Sequence, residues 1–319
     1  MSQTSVFLTQ MLLGLLLAPL LLGVINRVKA KFAGRRGKPL LQTYYDIARL
    51  LGKGEVISHT ATWVFTAGPV LALGTTVCAL ALLPLGGIAS PFSFGGDFLL
   101  AAYLLGLGRF ALILSALDTG SAFEGMGASR EATFSALAEP VLFLALLVLV
   151  SLNVQPMSPV QAAHPAGLSD LSFSALLDGH AAQAWLDGRA ELLLIPAIFF
   201  ILLLVENCRI PIDDPTTHLE LTMIHEVMVL DHSGPNLAMI VYGAALKLWF
   251  FAALIAALLL PPLPLWQHVG ASLALIFSLG IAVGTVESVM ARLRLPLIPR
   301  LLAGAATLAA LALILTLVR

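Results

Sequence analysis

The sequence predicts an all-α polytopic membrane protein with about eight transmembrane helices and one interfacial amphipathic helix. Three observations predict it. The 319 residues are 59% hydrophobic and 11% charged, whereas a soluble domain is about half apolar and a quarter charged. Several runs exceed about eighteen apolar residues, the length that crosses a bilayer as a helix. The runs are solid rather than alternating, which excludes a β-barrel. The formal charge of −1 is uninformative by itself, since its distribution is what matters; no nucleic-acid partner is expected. Two cysteines, Cys78 and Cys208, are too few for a metal cage or a disulfide framework.

The apolar runs fall at residues 6–25, 63–85, 98–117, 136–152, 190–205, 237–260, 269–290 and 301–318. The first lacks a small-residue cleavage site behind it and reads as a retained helix rather than a signal peptide. Between residues 40 and 55, Leu40, Leu41, Tyr44, Ile47, Ala48 and Leu51 share one helical face, with Asp46, Arg49 and Lys53 elsewhere. That pattern predicts a short amphipathic helix lying at the interface. The segment 118–135 reads as a Gly-rich polar loop, and the long loop 153–188 contains a predicted short helix near 173–185. The whole chain is one integral membrane domain, with cytoplasmic loops at 26–62, 118–135, 206–236 and 291–300.

Positive charge orients it. Thirteen of the 17 Lys and Arg lie in the loops after the first, third, fifth and seventh runs. The positive-inside rule puts those loops in the cytoplasm and both termini on the outer side. A bacterial inner membrane is the expected location.

The stretch from Val205 to Pro235 is the long charged segment between apolar runs. It holds Glu206, Asp213, Asp214, Glu220, Glu226 and Asp231, six of the 18 acids, with Arg209, His218, His225 and His232. Charge at a membrane edge is costly and points to function. Glu206 lies where the fifth run ends; its bland reading is an interfacial Glu paired to Arg209. Pro211 and Pro215 flank Asp213 and Asp214 and break helix near membrane depth, a feature tolerated mainly beside protein or a water cavity. From Pro215 onward the sequence reads as helix, with Asp214 as its cap. His225 and Glu226 lack the His-x-x-x-His spacing of a zinc helix, so no metal site is expected and a contact surface for a partner subunit is the better reading. Arg109, Glu139, Lys247 and Glu287 sit in or near spans. Singly, each could be a structural pair; together with Glu206, Asp213 and Glu220 they point to proton transfer into the membrane.

These residues also carry a resemblance. Gly34, Gly37, Leu41-Gln42, Asp46 and Lys53 resemble the loop after the first helix of subunit 1 of respiratory complex I. Glu206, Asn207, Arg209, Pro211 and Asp213 resemble that family's Glu-Thr-Asn-Arg-x-Pro-Phe-Asp element. Asp231-His232-Ser233-Gly234 takes the place of its Glu-Tyr-Ser-Gly. The wording of 213–235 and of 286–296 is similar to the hydrogenase branch of the superfamily, which includes the membrane subunits of formate hydrogenlyase, hydrogenase-4 and other energy-converting [NiFe] hydrogenases.

The resemblance implies a non-catalytic membrane subunit that anchors a peripheral electron-transfer arm and couples electron transfer to proton or sodium movement. Peripheral large and small hydrogenase subunits, a ferredoxin-like Fe–S subunit and antiporter-like membrane subunits would be its partners. The Fe–S clusters and NiFe centre would lie in those partners, and the His- and Met-rich rewording puts quinone binding in doubt. Carried over, Glu206, Asp213, Asp214, Glu220, Glu226 and Asp231 would line the junction, and Arg109, Glu139, Lys247 and Glu287 the inner path. Arg27, Arg35, Arg36, Lys38, Asp46, Arg49, Lys53, Arg209, His218 and His225 would dock the arm. A quinone-site subunit of a complex I-type oxidoreductase and a stand-alone ion-coupled transporter are the alternatives.

Overall fold

The structure is a computed structural model that describes residues 3–154, 171–177, 191–213, 223–261 and 263–318. The helices are α1 (Gln3–Phe32), α2 (Gln42–Leu51), α3 (Trp63–Leu82), α4 (Asp97–Asp118), α5 (Ala122–Val154), α6 (Phe173–Leu177), α7 (Glu191–Glu206), α8 (His225–Met228), α9 (Gly234–Leu259), α10 (Leu265–Val289) and α11 (Ile298–Val318), with a 3₁₀ turn at Leu295–Leu297. No strand occurs among the described residues. All eight predicted spans reappear as helices. Seven are long and apolar enough to cross a membrane, and α7 is the shorter apolar one.

The bundle is built around α9. In its most apolar window 67% of residues are buried, against 22–39% in the other six long helices, so this helix is the inner post and the others have larger exposed faces. Its sequence explains the position: apart from Asn236 and Lys247 it is apolar nearly all round, which suits a helix surrounded by protein. It packs against α1, α2, α3, α7 and α10. The α3–α4 pair is the most extensive contact. Gly68 faces Ser115 and Gly108 faces Thr75, with built Cβ positions at 2.5 Å in each case, so the two backbones approach closely at glycines.

Two loops differ from the sequence reading. The predicted polar loop 118–135 is helical from Ala122 onward, leaving only 119–121 as connection. Its glycines are packing positions: a Cβ on Gly127 would lie 2.8 Å from the Ile224 carbonyl, where α8 docks on α5. The basic loop is also shorter than predicted, since α1 continues to Phe32 and carries Arg27, Lys29 and Lys31 on its last turns. Cations there complement the carbonyl end of the helix. The helix stops in a Schellman motif, with Arg35 N donating to Ala30 O at 2.8 Å and Gly34 at φ 67°.

The amphipathic helix is present as α2, against α1 and α9. Leu40, Leu41 and Leu51 stay exposed, as an interfacial helix requires. The predicted helix near 173–185 is seen at Phe173–Leu177; the rest of it, and the predicted helix start with Asp214 as cap, lie outside the described residues.

Candidate functional site

Helix ends gather at one polar end of the bundle. Asp118, closing α4, accepts from Thr62 N at 2.6 Å and Phe65 N at 3.2 Å, and so caps α3. Glu124 Oε1 accepts from Asp231 N at 2.9 Å, and Asn236 at the start of α9 donates to Glu55. Asp213 Oδ2 accepts from Ile224 N and His225 N at 2.9 and 3.1 Å. Leu293 N donates to Pro211 O at 2.8 Å. The turn after α7 is therefore tied to both α8 and the segment after α10.

Inside this frame lies a charge cluster built from four helices. Glu206 at the end of α7 is buried. Its Oε2 is paired with Arg109 of α4 and lies 2.9 Å from Lys247 Nζ of α9. Arg109 Nε is 3.6 Å from Glu131 and Nη1 is 3.5 Å from Glu139, both on α5. These two are ion-pair rather than hydrogen-bond distances. An isolated buried carboxylate or guanidinium is costly, and the pairing offsets that cost. Three carboxyls face two cations, so the group carries a formal excess of one negative charge.

A cavity of about 80 Å³ opens beside the cluster, lined in part by Thr76, Arg109, Glu131, Glu206, His225 and Lys247. It is large enough to hold a few water molecules. Ligand pockets are usually several-fold larger, at about 300 Å³ or more. Cys208 Sγ sits 3.5 Å from Glu131 Oε2. Burial pushes its thiol up, and Glu131 and Asp213 add to that, so Cys208 is an inert thiol rather than a nucleophile.

Three further ion pairs lie outside the cluster. Glu287 of α10 is 2.9 Å from Lys29 Nζ and 3.4 Å from Arg209 Nη1. Asp213 Oδ1 is 2.8 Å from Arg292 Nη2. His232 stacks on Phe65 with ring centroids 4.1 Å apart, and its Nε2 lies 3.2 Å from Ser115 Oγ. Burial, then His225, lowers its pKa to about 4, so the imidazole is neutral at pH 7.

Residues 4–318 match the family described as NADH dehydrogenase. The chain belongs to that family. Hydrogenase-4 component C of Escherichia coli (strain K12) is 34% identical over 254 residues, covering 80% of this chain and 74% of that protein. Formate hydrogenlyase subunit 4 of the same strain is 31% identical over 303 residues, 92% of each chain. Among solved structures, the chain matches one in the structure of the membrane-bound sulfane sulfur reductase (MBS), described as an archaeal respiratory membrane complex. The TM-score is 0.82 at 19% identity, covering 99% of this chain and 100% of that one, a likeness of fold.

In this NADH dehydrogenase-family chain the residues singled out from sequence separate into groups. Arg109, Glu139, Glu206 and Lys247 come together. Glu287 joins Lys29 and Arg209 instead, so the sequence pairing of Glu206 with Arg209 is not the one formed. Arg209, read as a docking residue, has a side chain 12% exposed and points inward. His225 lines the cavity, Glu226 is half-buried and Asp231 is exposed. Arg27 donates to the Arg36 carbonyl, Arg49 pairs with Asp46 at 3.3 Å, and Arg35, Arg36, Lys38, Arg49 and Lys53 are exposed. Asp214, His218 and Glu220 lie outside the described residues. Sequence reading missed Glu131, Lys29 and Arg292 as partners. Glu131 and Glu139 are two helical turns apart and share a face, a signal visible once 122–135 is read as helix.

Proposed function

We propose that this chain is the membrane subunit of a multisubunit energy-converting [NiFe] hydrogenase of the formate hydrogenlyase or hydrogenase-4 type. In this reading it anchors the peripheral electron-transfer arm and couples electron transfer to movement of protons or sodium ions. The relatives it resembles support the type of complex. The observation that carries the coupling role is the buried Glu206, clasped by Arg109 and Lys247 beside a water-sized cavity.

The chemistry follows from charge balance. With Glu131, Glu139 and Glu206 against Arg109 and Lys247, a proton arriving from the polar end is shared within the cluster. A shift of charge in the arm above would then change how firmly that proton is held, because attraction between buried charges is strong in a low-dielectric site. Glu139, with a side chain 48% exposed on α5, is the point from which it would pass to a neighbouring membrane subunit. The bound metal centres belong to the partner subunits in this reading. The small volume of the cavity among the described residues favours water over a quinone head group. The exposed basic residues Arg36, Arg49 and Lys53 face the arm, with the polar end in the cytoplasm.

The test is mild-detergent purification on a tag at this chain, with mass spectrometry of the co-purified proteins and a hydrogen-evolution assay. The expected result is a nickel-containing subunit, Fe–S proteins and hydrogen production. Quinone-reductase subunits without nickel would replace this reading by a complex I-type one. The chain recovered alone at its own mass would replace it by a transporter.

A further inference from the structure

A second cavity lies away from the Arg109–Glu206 cluster. It is an open groove of about 680 Å³ at the polar end, between the end of α1, the turn 33–38 and the end of α10. Asn26, Lys29, Arg35, Lys38, Glu287 and Ser288 line it. Three cations face one acid, and that acid is already engaged by Lys29 and Arg209. The groove is therefore net positive and suits an anion.

Its shape is set by the backbone. The Schellman ending of α1 reverses the chain, and Gly37 at φ 69° folds the turn back so closely that a Cβ there would lie 2.4 Å from the Ala30 Cβ. Arg27 holds the far side of the turn through the Arg36 carbonyl. Arg35 and Lys38 thus line the groove with Lys29 from a turn held by backbone contacts rather than from a free tail.

The surroundings identify the anion's other half. Phe32 lines the groove and is 57% exposed, while Val289 and Met290, next in chain to Ser288, are 71% and 47% exposed. Both α1 and α10 are long and apolar enough to cross a membrane. A soluble anion gains nothing from that apolar rim, whereas an anion carrying acyl chains buries them along it. Basic pockets between membrane helices take lipid head groups for this reason.

We propose that this groove is a binding site for an anionic phospholipid, with the phosphate held by Arg35, Lys38 and Lys29, the Asn26 amide beside it, and the acyl chains along the apolar rim of α1 and α10. Lys29 serves both the phosphate and Glu287, so lipid occupancy reaches the buried Glu287–Arg209 pair. The proposal rests on the membrane-spanning fold and stands apart from the hydrogenase reading.

Native mass spectrometry of the complex purified on the full-length chain tests it, with phosphatidylglycerol, cardiolipin, phosphatidylcholine and inorganic phosphate as added probes. Wild type should retain an anionic phospholipid through detergent exchange and take it up again in preference to phosphatidylcholine. Each surface cation contributes about fivefold to such affinity, so the double variant Arg35→Gln/Lys38→Gln should bind roughly 25-fold more weakly. Both side chains are exposed, and Arg300→Gln, an equally exposed charge removal elsewhere, should leave lipid retention as in wild type. Three results would overturn the proposal: equal lipid retention by the double variant, displacement of the lipid by millimolar inorganic phosphate, or loss of peripheral subunits with the lipid complement unchanged. The last would assign the groove to protein docking.

Discussion

Glu206 is held by two cations from two different helices, and that geometry makes its replacement informative. Glu206→Gln removes one negative charge while keeping the side-chain shape. Glu131 and Glu139 then balance Arg109 and Lys247, so the variant should assemble at near wild-type yield. Coupling should fall at least tenfold, read as ion uptake by vesicles during turnover. Normal uptake in that variant would remove Glu206 from the coupling path. His232 offers an independent measurement. Its folded pKa, about 4, lies below the ordinary 6.5, so the unfolded chain binds the proton first as pH falls. Its contribution to stability is intact above pH ~6.5 and is lost on acidification toward pH ~4, on the order of 3 kcal/mol at most. His232→Gln can keep a hydrogen bond to Ser115 and cannot titrate. The melting temperature of the variant in detergent should therefore fall less between about pH 7 and pH 5 than that of wild type; an equal fall in both would mean the acid sensitivity lies elsewhere.

The start of α5 shows how a local signal can be misread. Gly120, Gly125 and Gly127 sit among polar residues and mark a loop by composition. Only Gly120, at φ 70°, is in a turn; Gly125 and Gly127 are helical. At Gly127 the missing side chain lets α8 approach, and Arg130 on the same helix donates to the Met223 carbonyl at 2.8 Å. Gly127→Leu should push α8 off α5 and lower stability by about 1–3 kcal/mol, the usual cost of overpacking. Limited proteolysis should then cut near residues 223–231 faster than in wild type. Unchanged cleavage would show that α8 is held by Asp213 and Arg130 without the close approach.

Seven helices are long and apolar enough to cross a membrane and α7 is shorter; counting α7 as a crossing predicts eight, with both termini on one side. The 16 residues of α7 span about 24 Å, short of the ~30 Å hydrocarbon core. Its polar end makes up for this, since Glu206, Arg209 and Asp213 are buried against protein charges rather than lipid. Reporter fusions test the topology. Alkaline phosphatase fused at either end should be active, which places both termini outside. Activity at one end alone would mean that α7 does not cross.

Span positions, the amphipathic helix and the concentration of charge in the Val205–Pro235 stretch were legible in the chain itself. Hydropathy, helical period and charge are properties of neighbours in sequence, and the bilayer sorts segments by them alone. Glu206, Arg109, Lys247 and Glu139 were each visible as isolated charges in apolar surroundings. Their pairing was not. Which face of α4 meets α7, and that Glu287 takes Lys29 and Arg209 while Glu206 takes Arg109 and Lys247, depends on how each helix is rotated in the bundle. That rotation is set by close approaches such as Gly68 to Ser115, contacts between residues far apart in the chain. Charge identity is written locally, whereas charge neutralisation is a matter of distance in space.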